Sequence, residues 1–412
     1  MVLGFAQVLY ENGQSTDQVL AAVESFGNAL GLRARLIPRW GELQLRTQDG
    51  NSDLMMTVEA TPANVHMARV SSAMQALEDL RAGRLSPAAA GGAISAIGRM
   101  PPSPGWLFTL AAAAGAVALA VIFGVQHLPA AVLIFFSAGA GAILRRGAAR
   151  FSANLFLEPF CAALLAGVVG ALAVRYQWSS SLRLVAVCPC MVLVPGPPVL
   201  NGALDLLRGR VHLGASRLIY AVLVVAAIST GLLFGLALLG VSLPVGPEGR
   251  TVPLWFDAIA AGVAVAAYSI FFSAPWRMLP WPVITGMLAH SLRWWCMVVL
   301  HSSSATGALV ACLLAGLILT PVALRRHMPF AAIGFASVVS MIPGVYLFRM
   351  ASGLLQLANG SHTSLDLIGA TIADGLTAGV IIFAMSCGLL IPKLAIVRLA
   401  RQQQSRHNRK RS

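Results

Sequence analysis

From Trp106 onward the chain is a train of apolar runs, and no other feature limits its fold so tightly. A run of roughly 20 apolar residues, at about 1.5 Å rise per residue, spans the ~30 Å hydrocarbon core of a bilayer. Ten such runs lie at 106–125, 128–144, 155–175, 183–200, 217–241, 254–273, 279–293, 303–324, 328–347 and 364–391. Within lipid every backbone polar group must be satisfied inside the segment, which favours helices. With 57% hydrophobic and only 11% charged residues, the chain holds more apolar side chain than a soluble fold can hide. The class expected is an all-α polytopic membrane protein of ten transmembrane helices. Seven of the eight tryptophans (106, 178, 255, 276, 281, 294 and 295) fall near span ends, as an interfacial aromatic belt requires.

Residues 1–100 differ in kind. Ser15-Thr16-Asp17 offers a helix N-cap, and Val19, Leu20, Val23, Phe26, Ala29 and Leu30 follow at helical spacing. Polar and apolar residues then alternate on either side of Trp40-Gly41, predicting two strands and a turn, with a third strand over 54–58. An amphipathic helix over 65–80 and a further helical stretch to Met100 complete a small α+β cytosolic domain. Pro101-Pro-Ser-Pro-Gly105 reads as its linker to the first five-helix set, 106–241. An external loop (242–253), a second five-helix set (254–393) and a basic tail (394–412) follow. Met1–Tyr10 has neither a basic n-region nor a small-residue cleavage site, so no secretory signal is expected. The N-terminal domain carries no phosphate loop, nucleophile motif or metal cluster, and a regulatory or packing role is expected of it.

Charge sets the orientation. The net charge is +14, and with the N-terminus inside, 24 of the 29 Lys and Arg residues fall on the cytoplasmic side. Arg175, Arg183, Arg250, Arg293 and Arg349 remain outside. That asymmetry places both termini in the cytoplasm of a cell inner membrane. The tail Arg401–Ser412 is expected to be disordered and to lie near anionic headgroups, with no nucleic-acid partner. The six cysteines all sit in apolar segments, and none stands at metal-ligand spacing with His or a carboxylate. No cofactor, metal or catalytic constellation is read, so the chain is not expected to be an enzyme.

Within the membrane part, Met191–Gly209 is the most informative stretch. Pro195, Gly196, Pro197 and Pro198 break a membrane-depth helix, and Asn201 and Asp205 follow four residues apart on one face. A broken helix bearing polar groups is how many transporters build a substrate site. The second set echoes the first. Leu164-Leu-Ala-Gly167 recurs as Leu313-Leu-Ala-Gly316, the Pro-Gly at 195–196 recurs at Pro343-Gly344, and Ala203, Leu206 and Leu207 match Ala351, Leu354 and Leu355 at an offset of 148. Two sets of five spans must sit in opposite orientations, so an inverted 5+5 repeat is expected, with one break facing each side. No charged ring or carbonyl-filter motif points to a channel.

Asp374 lies about nine residues into the last span, so it sits ~14 Å deep, where an ionised carboxylate costs on the order of 3 kcal/mol or more. Thr371, Thr377 and Ala378 share its face, and proton coupling is the role expected of it. Glu158-Pro159 is either a second coupling group or simply the start of the third span. Asp257 is expected to be interfacial, Ser302–Thr306 to be a helix start, and Arg217 to open the fifth span, pairing with Asp205 or snorkelling to headgroups.

Pro195, Gly196, Pro198, Asn201, Asp205, Gly214 and Arg217 together resemble the signature of the threonine/serine exporter family, and Ile342–Leu355 is similar to the matching segment of its C-terminal half. The resemblance covers essentially the whole chain in a fused form. It implies a secondary exporter that moves threonine and serine outward on the proton gradient, with substrate binding or gating at Pro195, Gly196, Asn201, Asp205, Arg217, Pro343 and Gly344. Two-component relatives are linked to succinate export, which leaves a dicarboxylate exporter of the same fold as an alternative, with Arg217 or Arg349 binding the solute. A membrane scaffold without transport is the other alternative. The resemblance supplies no role for Asp374 or for the N-terminal domain, and a homo-oligomer is left open.

Overall fold

A computed structural model describes residues 1–49, 52–125, 127–152, 154–178, 182–241, 243, 252–358 and 364–409. The N-terminal part runs α1 (Val2–Glu11), α2 (Thr16–Ala29), β1 (Arg33–Arg39), β2 (Gly41–Asp49), β3 (Ser52–Ala60), α3 (Met67–Arg81) and α4 (Pro87–Gly98). The strands form an antiparallel sheet in the order β1-β2-β3, with Leu36 opposite Leu45 and Leu45 opposite Met56. Gly41 takes φ +87°, the left-handed conformation that lets the chain reverse directly after Trp40. Ala34, Leu36, Leu43 and Leu45 point to the covered face, where Phe5 stacks on Phe26 at 4.4 Å. Helix α1, which the sequence pattern did not reveal, supplies Phe5, Leu9 and Tyr10 to that core.

The membrane part holds α5 (Gly105–Ile122), α6 (Leu128–Phe151), α7 (Leu157–Arg175), α8 (Leu182–Met191), α9 (Gly196–Leu207), α10 (Val211–Ala237), α11 (Leu254–Phe271), α12 (Pro280–Val298), α13 (Ser304–Arg326), α14 (Phe330–Val338), α15 (Gly344–Ala358) and α16 (Leu365–Arg409). Among the described residues, seven helices (α5, α6, α7, α10, α11, α13 and α16) are long and apolar enough to cross a membrane. Two bent pairs, α8/α9 at 54° and α14/α15 at 68°, bring the number to nine. Helix α12 is as long as several of these but, with His290, Arg293, two prolines and three tryptophans, is less apolar. The chain is therefore a multi-pass helical membrane protein with a small three-stranded sheet at its N-terminus.

Several expectations change. The fourth run is two helices split at 192–195. The fifth begins at Val211, so Arg217 lies well inside α10 and is buried rather than snorkelling at its opening. The last span and the tail are one helix through Arg409, so 401–409 is not irregular. Residues 410–412, and 242 and 244–251 of the loop after α10, lie outside the described residues.

Neighbours recur between the two halves. Helix α7 packs on α10 as α13 packs on α16, α9 on α10 as α15 on α16, and α6 on α8 as α12 on α14, while α5 and α11 join the halves. The closest approaches recur too. A Cβ on Gly167 would lie 2.3 Å from the Leu232 carbonyl, and one on Gly316 would lie 2.9 Å from the Leu389 carbonyl. Backbone contact of this kind at small residues holds helices together where lipid removes the hydrophobic drive.

The N-terminal part is docked on this bundle. Met67 N–H donates to the Phe272 carbonyl at 2.9 Å and Ala68 N–H to Ser273 at 3.2 Å. The Ser103 hydroxyl donates to the Ile270 carbonyl, and Arg146 Nη2 donates to the Ser103 carbonyl at 2.7 Å. Leu213 of α10 is buried in the N-terminal core.

Candidate functional site

The first break is built by proline chemistry. The Met191 carbonyl would accept from residue 195 if α8 continued, but Pro195 has no N–H to give. The carbonyl keeps only a long bond from Val194 N–H at 3.4 Å, and Tyr268 of α11 adds the short one, its hydroxyl reaching the Met191 carbonyl at 2.7 Å in a fully buried position. A tyrosine from the second half thus satisfies a group freed in the first, as a break at membrane depth demands. The two breaks also cross. A Cβ on Gly196 would fall 1.4 Å from the Phe335 ring of α14, and one on Gly344 would fall 2.9 Å from Met191 of α8. Each Pro-Gly therefore packs its bare backbone on the partner break's leading helix.

Directly below the first break, α9 presents Asn201 and Asp205 on one buried face. Asp205 Oδ2 lies 3.2 Å from Arg217 Nε on α10, and both side chains are 1% exposed. The Asp205 carboxylate also accepts from Arg210 Nη1 at 3.2 Å and from the Thr16 hydroxyl at 3.0 Å. Asn201 Nδ2 donates to the Gly13 carbonyl at 3.2 Å, while its Oδ1 has no partner among the described residues. Asp17 binds Arg210 at 2.6 Å and Arg208 at 3.0 Å. Burial alone would raise the Asp17 carboxyl, but the hydrogen bond and charge of Arg210, with Arg208, outweigh it and hold the carboxyl below its ordinary value. The Tyr10 ring lies 5.4 Å from the Arg217 guanidinium. Its phenol is pushed up to about 12, by burial first and with Arg217 opposing, so it stays a neutral donor, given to the Arg39 carbonyl. The segment Gly13–Asp17 thus covers the two α9 residues that the sequence singled out. Lys393 of α16 is buried nearby, its Nζ over the Phe330 ring at 4.6 Å with no hydrogen-bond partner among the described residues.

A cavity of about 380 Å³ lies against the break itself. That falls within the roughly 300–1,000 Å³ of small-molecule sites. Val192–Pro195 form one wall, and Glu11, Asn12, Arg69, Arg145 and Tyr220 bring polar groups to the others. Arg145 is held by Glu158, Nε to Oε2 at 3.1 Å, and sits over the Phe271 ring at 5.0 Å. Arg145, Val192 and Leu193 also line a slot of about 10 Å³ that leads on to Ser137, whose hydroxyl has no partner among the described residues. A slot of that size holds no more than one water.

The second half carries a pair of reversed polarity. Arg349 Nε of α15 lies 3.0 Å from Asp374 Oδ2 of α16, where the first half sets an aspartate on α9 against an arginine on α10. Thr371 and Ala378 are buried beside Asp374 on the expected face. Asp257 is 4% exposed and pairs with His290 of α12, Oδ2 to Nδ1. Ser303 caps α13 by accepting from Thr306 N–H at 3.2 Å, as a helix start should.

A family model described as "Putative threonine/serine exporter" matches residues 1–239, and a second, "Threonine/Serine exporter, ThrE", matches residues 257–395. The chain belongs to the threonine/serine exporter family. No solved structure matches it. The family is one of amino-acid export transporters rather than enzymes, and a multi-pass helical chain fits it. In this exporter-family chain the structure brings together Pro195, Gly196, Asn201, Asp205 and Arg217 with Thr16, Asp17 and Arg210. It keeps Glu158 with Arg145 at the cavity's edge and Asp374 with Arg349 in the other half. Arg145, Tyr268 and Gly13–Asp17 had no local signal, because each acts through a contact between distant segments. Arg145 stood out only as part of a cytoplasmic basic cluster.

Proposed function

We propose that this chain exports threonine- and serine-like amino acids by proton-coupled antiport, with alternating access through its two broken spans. The observation that carries the reading is the reciprocal crossing of the breaks, Gly196 on Phe335 and Gly344 on Met191. Broken helices paired across an inverted repeat are the architecture of secondary transporters with a site between the halves. In this reading the first break faces the cytoplasm, where both termini lie, and the second faces outside. Solute loads in the cavity beside Val192–Pro195, and Asn201 and Asp205 meet it when Gly13–Asp17 withdraws. The arginines and single glutamate of the cavity wall suit a solute bearing a carboxylate.

Pro195-Gly196 and Pro343-Gly344 are the points about which the halves rock. The Asp205–Arg217 and Arg349–Asp374 pairs are the gates, and Glu158 holds Arg145 at the edge of the cavity. The arginines of the α16 extension lie among anionic headgroups.

The test is counterflow in proteoliposomes with labelled threonine, serine and succinate. Threonine and serine are expected to exchange. Uptake of succinate alone would show a dicarboxylate exporter, and uptake of none would favour a scaffold.

A further inference from the structure

We propose that Asp257 and His290 form the proton-binding dyad of this transporter, a site distinct from the arginine-held carboxylates; the inference rests on the antiport reading and on the inside orientation of the termini. Asp257 lies in the first turn of α11, and His290 lies eight residues before the end of α12. At about 1.5 Å per residue they sit roughly 5 and 12 Å from those helix ends. Both ends face outside in the proposed orientation, so the dyad lies in the outer half of the bilayer, on the side from which an exporter's protons come.

The geometry fits a single exchangeable proton. His290 Nδ1 faces Asp257 Oδ2, so with the imidazole neutral Nδ1–H donates to the carboxylate and Nε2 keeps a lone pair. Nε2 is buried and has no partner among the described residues. His290 is 1% and Asp257 4% exposed, so the unprotonated dyad is a buried net negative charge. One proton added at Nε2 turns it into an ion pair with no net charge. The other buried or half-buried membrane carboxylates behave in the opposite sense. Asp205, Asp374 and Glu158 each face an arginine, and protonating any of them strands that cation.

The surroundings do not compete for the proton. Among the described residues, α5 and α14, which pack on α11, carry no titratable side chain, and α11 itself adds Tyr268, committed to Met191. Helix α12 adds Arg293, one turn beyond His290, and Cys296. Helix α13 adds Cys312, with Arg325 and Arg326 at its far end, and the turn before α12 adds Arg277 at the far end of that helix. No second carboxylate stands on these elements. Trp294, four residues after His290, donates Nε1–H to the Val252 carbonyl at 2.7 Å, which fixes the register of α12 against the start of α11 and holds the dyad together.

The test uses the full-length protein in proteoliposomes. Labelled threonine transport is measured with and without an imposed pH gradient, and the ratio of the two is followed as external pH is varied. A ratio removes differences in the amount of folded protein, so a merely structural role for the pair would leave it at the wild-type value. His290→Gln is expected to bring the ratio to about one, since no group is left to take the proton. Asp257→Asn removes the carboxylate that accepts from Nδ1–H and is expected to lower the ratio severalfold, and Asp257→Glu is expected to restore it. A gradient-driven wild type whose His290→Gln variant keeps the same ratio and midpoint overturns the dyad alone. A wild type indifferent to the gradient overturns the dyad and the antiport reading together.

Discussion

At the scale of single residues, the bundle buries its charges in matched pairs. Asp205 and Arg217 are each 1% exposed, and an arginine left without its partner in such a place costs about 3–5 kcal/mol. Asp205→Asn should therefore lower the thermal midpoint of the detergent-solubilised protein strongly, and adding Arg217→Gln should recover much of the loss. Strictly additive losses in that double-mutant cycle would show that the two side chains do not interact. Tyr268→Phe keeps the ring but removes the shorter of the two donors to the Met191 carbonyl, a loss of about 0.5–1.5 kcal/mol that the same melt would report. These residues differ in how far the sequence announced them. Asp205 and Arg217 both follow the proline break and were readable as a pair. Asp374 was readable by depth, but its partner Arg349 was not. Asp257 and His290, on two antiparallel helices, share no periodicity, so only the fold brings them together.

At the scale of elements, the crossing of the broken spans makes unequal demands on two glycines that look alike in sequence. A methyl at Gly196 meets the Phe335 ring at 1.4 Å, and an aromatic ring in a packed interior cannot step aside cheaply. A methyl at Gly344 meets the Met191 side chain, which is unbranched and adapts more readily. Gly196→Ala is expected to cost about 1–3 kcal/mol and to impair exchange, with Gly344→Ala clearly milder. Equal melting points and equal counterflow for the two variants would argue against this crossing. Both breaks were legible because proline cannot donate, and the strands because alternation around Trp40-Gly41 has few other meanings. Helix α1 was hidden, because ten apolar and polar residues at a chain start carry no cap and no clear stripe. The continuation of α16 to Arg409 was hidden for another reason: a charged stretch reads as a solvated tail unless the helix that precedes it carries on.

At the scale of the whole molecule, the N-terminal domain proves to be a cover rather than a tethered appendage. Its Asp17, Thr16 and Gly13 reach α9 and α10, and Asp17 is ionised well into acid because its carboxyl is held below the ordinary value of 3.8. A carboxyl lowered in the docked state contributes docking that is fully present above its undocked value and is lost as pH falls through the docked one. Hydrogen exchange over Gly13–Asp17 should accordingly be slow at neutral pH and rise only below about pH 4, and Asp17→Asn should raise it at neutral pH while leaving it unchanged in strong acid. Exchange equally slow in the variant would remove Asp17 from the docking. An opposite orientation of the two similar halves, with a break open to each side, is tested by single cysteines at His212, exposed at the start of α10, and at Ser364, exposed just before α16, in a chain whose six native cysteines are replaced. With a membrane-impermeant maleimide, His212→Cys should react only from the cytoplasmic face and Ser364→Cys only from the outer face; reaction of both from the same face would contradict the account.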